Sequence, residues 1–68
     1  MKTTYDKKAD AMYIYFQEIK PKGVKQTIGL NDDFIIDFDE NKKILGIEIL
    51  NASKYLEKKE LQTSKALA

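Results

Sequence analysis

The sequence predicts an α+β domain: a small antiparallel β-meander of four or five strands, with one C-terminal helix packed on the sheet. Three observations carry this. Phe34–Phe38 and Ile44–Leu50 alternate in character on either side of the polar stretch Asp39–Lys43, the period-2 pattern of two pleated strands joined by a turn. Shorter runs rich in aromatic and β-branched residues precede this hairpin, separated by Asp, Asn, Pro and Gly breakers. After Leu50 the period lengthens, with Ala52, Tyr55, Leu56 and Lys59 at helical spacing.

Taken in order, Lys2–Tyr5 reads as a first strand and Ala11–Phe16 as a second, with Asp6–Asp10 as the turn between them. Met12, Ile14 and Phe16 share one face of the second strand, and Ala11, Tyr13 and Tyr15 the other. Pro21 and Gly23 mark a loop, and Val24–Leu30 is the third strand. Asn31–Asp33 turns into the central hairpin. Short connections predict sequential antiparallel pairing. A four-residue loop, Glu40–Lys43, would gather Phe34, Ile36, Phe38, Leu45, Ile47 and Ile49 on one face, whereas a three-residue loop, Glu40–Lys42, would mix the faces. The cleaner apolar face favours the first. Asn51 is placed to cap a helix starting at Ala52. That short helix must dock to persist, through Tyr55 and Leu56 near Gly46, whose missing side chain leaves room. Residues 1–60 thus read as one domain, and 61–68 as a tail that frays.

Composition narrows the function classes. The 68 residues hold no Cys and no His, which removes disulfides, the commonest metal clusters and His-activated nucleophiles. No apolar run approaches the roughly 20 residues that span a bilayer, and the polar N-terminus does not resemble a signal peptide. A cytoplasmic protein is expected, with no membrane association. Twelve cations, all Lys, against eleven Asp and Glu leave a net charge of +1, which argues against a dedicated nucleic-acid binder.

Three constellations are candidates for chemistry. Asp37, Asp39, Asn41 and Glu48 fit positions 1, 3, 5 and 12 of a calcium loop, but Lys42 stands where its bend needs Gly, and strands surround it. The same residues read more simply as a hairpin tip, so no metal and no cofactor is assigned. Asp37 and Asp39 as an acid–base pair lack a cleft, and no catalytic residue is assigned. Tyr13 and Tyr15, on one strand face, would suit base stacking, although tyrosine also covers half-buried sheet surface for its own sake.

YDKKADAMYIYF, followed after the third strand by IIDFDENKKILGIEILNASKYL, resembles the small prokaryotic domain-of-unknown-function family 2283. Its members read approximately Y-D-x-x-A-D-A-L-Y-I, then V-D-x-D-x-x-G-x-L-V-G-I-E-I-L-x-A-S. The chain departs at Lys42, where the family tends to have the turn glycine, and at Asn51, where it often has Asp. The resemblance implies a small antiparallel sheet with a C-terminal helix, and carries no catalytic residues. It also implies a likeness, in size and gene pairing, to components of toxin–antitoxin-like cassettes.

The sequence therefore predicts a non-catalytic binding module that is a homodimer, with a small protein partner as a further expectation. The surface expected to interact comprises Tyr13, Tyr15, Ile35, Ile44 and Leu50, the last three being apolar residues left off the cleaner face. The alternative is a weak nucleic-acid-binding or regulatory protein using the Tyr13/Tyr15 face.

Overall fold

The computed structural model describes residues 1–63 and 65–66, with side chains through residue 61. Five antiparallel strands form the sheet: β1 (Lys2–Asp6), β2 (Ala11–Tyr15), β3 (Gln26–Gly29), β4 (Phe34–Phe38) and β5 (Ile44–Leu50). A single 3-10 turn, Ala52–Lys54, and a six-residue helix α1, Lys58–Thr63, follow. Lys65–Ala66 (β6) then lies parallel to β1, and residues 64, 67 and 68 of the segment expected to fray are outside the described residues. The molecule is mostly sheet, so α+β describes it only approximately.

The sheet is not a meander. Its strand order is β3-β4-β5-β2-β1-β6, so β2 pairs with β5 and the chain between Phe16 and Lys25 passes beyond two strands before entering β3. Burial explains the choice. Pairing β2 with β5 sets Met12 against Ile49 and Ile14 against Ile47, and β4 adds Phe34 and Ile36 to the same rows. β3, whose four residues are all exposed, is left at the edge, where poor burial is least costly.

At the β4–β5 tip, Asp39 donates its N–H to Lys43 O and Asp39 Oδ1 accepts from the N–H groups of Asn41 and Lys43. The loop is therefore the three-residue form, Glu40–Lys42, rather than the favoured four-residue one. Lys42 takes φ 63°, the left-handed conformation such loops require and the reason glycine suits that place. The faces do not mix, because pairing steps from Asp37↔Gly46 to Phe38↔Ile44 and leaves Leu45 as the extra residue of a bulge. Phe34, Ile36, Ile47 and Ile49 thus share the face expected of them.

That face carries the core: Tyr5, Met12 and Ile49, with Ala52 fully buried above them and Leu56 and Leu61 packed alongside. Leu56 docks as expected, but the continuous helix from Ala52 does not form. Asn51 does not cap it: the residue adopts φ 53° and makes no side-chain capping bond. Nor does Gly46 lie beneath the helix. It alternates with the core-facing Ile47, and so belongs to the opposite side of the sheet.

Candidate functional site

Three tyrosine–aspartate pairs organise the surface on both sides of the sheet. Asp10 ends the β1–β2 turn with φ 50°, a conformation that Asp tolerates better than most residues. Its Oδ1 accepts the Tyr5 hydroxyl at 2.7 Å and the Ser53 N–H at 3.0 Å, and its Oδ2 the Ser53 hydroxyl at 2.6 Å. Its carbonyl accepts the Ala52 N–H. Asp10 therefore supplies, from a distant turn, the cap that Asn51 does not. The hydrogen bonds from Ser53 and then from Tyr5 hold its carboxyl below the ordinary value.

Asp33 does the same from the other flank of β5, beside the same C-terminal end of the strand. Buried at 7% exposure, it accepts the hydroxyl of Tyr55 and the Asn51 side-chain N–H at 3.0 Å, with Lys54 Nζ at 3.6 Å. Tyr55 first, then Asn51, keeps its carboxyl low. Tyr55 sets its ring edge against Phe34 at 4.9 Å, so its hydroxyl, more than burial of its half-exposed ring, holds the segment after the 3-10 turn. The expected helix is interrupted here, where Ser53 is tied to Asp10 and Tyr55 to Asp33.

On the far face, Asp37 accepts from the Tyr13 hydroxyl and from the Thr27 hydroxyl, each at 2.7 Å. The Tyr13 ring covers Gly46, where an added Cβ would lie 2.2 Å from a ring carbon. Burial, then the bond to Asp37, raises the Tyr13 hydroxyl well above the usual tyrosine value. Tyr15 packs on Tyr13 with centroids 4.6 Å apart, and Lys2 Nζ lies 5.1 Å over the Tyr15 ring.

Of the residues expected to interact, Tyr13, Tyr15, Ile35 and Leu50 share this face by register, all half-buried, while Ile44 stands past the bulge opposite Phe38. Asp37 and Glu48 lie among them. The tethering roles of Asp10 and Asp33 were missed by sequence reasoning. Their only local signal was an acidic residue at the end of a turn next to a strand, which fits many solvated turns equally well.

Among the described residues no group of three or more His, Cys, Asp or Glu is placed to hold a metal. An open groove of about 560 Å³ along Met1, Lys2 and Tyr15–Ile19 sets no nucleophile beside a base. Among the described residues no helix is long and apolar enough to cross a membrane.

The pairs fix a pH profile. Asp10 and Asp33 titrate below the ordinary aspartate value of 3.8 in the fold, so their stabilisation is present above about pH 4 and lost as pH falls through the lowered values. Tyr5 and Tyr55 are raised above 10.0 by their bonds to aspartate and then by burial, so their contribution is present below pH 10 and lost as pH rises further. With no His in the chain, thermal melts should give a plateau between these limits with a fall on both sides. A maximum confined to pH 6–8 would contradict the assignment.

The sequence profile of the family described as "Protein of unknown function (DUF2283)" matches residues 2–53. The chain belongs to this family. A Methanocaldococcus jannaschii protein described as uncharacterized is 48% identical over 54 residues, covering 79% of this chain. The alignment spans 43% of that relative, so the chain corresponds to less than half of its length. No solved structure matches. The two segments that carry the DUF2283 resemblance meet in space at Asp10 and Ser53.

Proposed function

We propose that this DUF2283 domain is a non-catalytic binding module that works as a homo-oligomer. The observation that supports it is the core-side face of the sheet, covered at one end only. Ala52, Leu56 and Leu61 shield the row Tyr5, Met12, Ile49 and Phe34. The next row, Ile14, Ile47, Ile36 and Ile28, is half-buried to exposed, and none of its members is charged. No large side chain among the described residues is below 2% exposure.

Area argues the same way. The accessible surface is 5150 Å², against about 4400 Å² for a compact monomer of this mass. The carboxylates positioned for chemistry, Asp10, Asp33 and Asp37, are each occupied by intramolecular bonds, which favours binding over catalysis. An apolar, uncharged face of this kind also suits a small protein partner. Sedimentation equilibrium tests the reading: self-association below about 100 μM is expected, equivalent to more than about 5.5 kcal/mol. A strict monomer at that concentration overturns it.

A further inference from the structure

The uncovered row Ile14, Ile47, Ile36 and Ile28 ends on β3, at an edge through which two copies can join. β3 bonds to β4 on one side and has no strand on the other among the described residues. Proteins ordinarily guard such an edge with lysine, proline or a bulge. Gln26–Gly29 has no charge and no proline and pairs with β4 without a register shift, while Lys25 just before it bonds to Phe38 O and would face Asn31, not another lysine, in an antiparallel pairing centred on Ile28. The opposite edge of the five antiparallel strands is already taken by β6.

Exposed apolar side chains concentrate here too. Val24 at 39%, Ile28 at 41% and Leu30 at 64% lie on β3 or at its ends, at alternate positions. The ladder sets which backbone groups are free. Leu30 donates to Phe34 O, so alternation makes Ile28 and Ile36 the next bonded pair and turns the N–H and C=O of Thr27 and Gly29 outward.

We infer that two copies join β3 to β3 antiparallel about a two-fold axis passing through Ile28. This rests on the homo-oligomeric reading above. In that register Thr27 of each copy exchanges backbone hydrogen bonds with Gly29 of the other, and Ile28 faces its own counterpart. A two-fold axis sets a patch against itself, and the absence of charge in Gln26–Gly29 means that no like charges meet across it. Gly29 opposite Thr27 relieves crowding on the other face. The apolar row Ile14, Ile47, Ile36 and Ile28 then runs unbroken from one copy into the next, which is why a second copy, rather than an unrelated strand, is the occupant.

The absence of cysteine makes single-cysteine variants clean reporters. Facing residues of a non-bonded antiparallel pair lie about 4.5 Å apart at Cα, within disulfide reach. Under mild oxidation Ile28→Cys should give a covalent dimer, and Ile14→Cys, three strands inward on the same face, should not. Ile28→Lys should weaken self-association by roughly 100-fold or more, since two ammonium groups would meet at the axis, while its circular dichroism spectrum remains native. A dimer that survives Ile28→Lys and crosslinks through Ile14→Cys would mean that the copies meet face to face. That overturns the edge pairing and leaves the homo-oligomeric reading standing. A wild-type chain that stays monomeric overturns both.

Discussion

Gly46→Ala should destabilise the domain by about 2–3 kcal/mol, the cost of overpacking a tight site. Gly46 is not among the positive-φ residues, so alanine meets no backbone obstacle there. The whole cost arises because the new methyl would lie 2.2 Å from Cε1 and 2.6 Å from Cζ of Tyr13. The ring cannot simply swing away, because its hydroxyl is held by Asp37 across the sheet. The decisive measurement is a pair of urea melts in two backgrounds. With Tyr13 first replaced by alanine, Gly46→Ala should become neutral or stabilising by about 0.5–1 kcal/mol, the ordinary advantage of alanine over glycine in a regular element. An equal cost in both backgrounds would place the obstacle elsewhere.

Met12→Ala should cost about 3 kcal/mol, within the range for emptying a core site. Met12 is 4% exposed and stands in register between Tyr5 and Ile49, the centre of the covered row. Leu56→Ala should cost about half as much, since Leu56 packs on that cluster while only partly buried. If Met12→Ala falls under about 0.5 kcal/mol, the level of a surface change, the core does not lie where the register puts it.

The strands were legible because alternation is local. Phe34, Ile36, Ile47 and Ile49 announce a shared face without knowledge of any neighbour. The partner of β2 was not legible, because periodicity says which side of a strand is apolar and nothing about which strand lies beside it. Chain proximity favoured β3, whereas burial of Met12 and Ile14 against Ile49 and Ile47 favoured β5. The helix failed for a related reason. Residues 52–56 have a helical stripe, but Tyr55 and Asn51 find Asp33, and Ser53 finds Asp10, partners 18 or more positions away in sequence. Gly46 was read as the place where the helix comes close, whereas the close approach there is made by a side chain. What approaches is the tyrosine diagonal to it on β2, a pairing visible only once the register is known.

The β2–β5 seam also orders assembly in time. β1–β2 and β4–β5 each close over a short turn, so either can form alone at small entropic cost. Ile14 meets Ile47 only after the intervening chain, itself containing a hairpin, has been brought round. Contacts of that separation are the slow ones in small proteins. The two hairpins are therefore the early units, and their joining along Met12–Ile49 and Ile14–Ile47 is the step at which the domain becomes a single cooperative body.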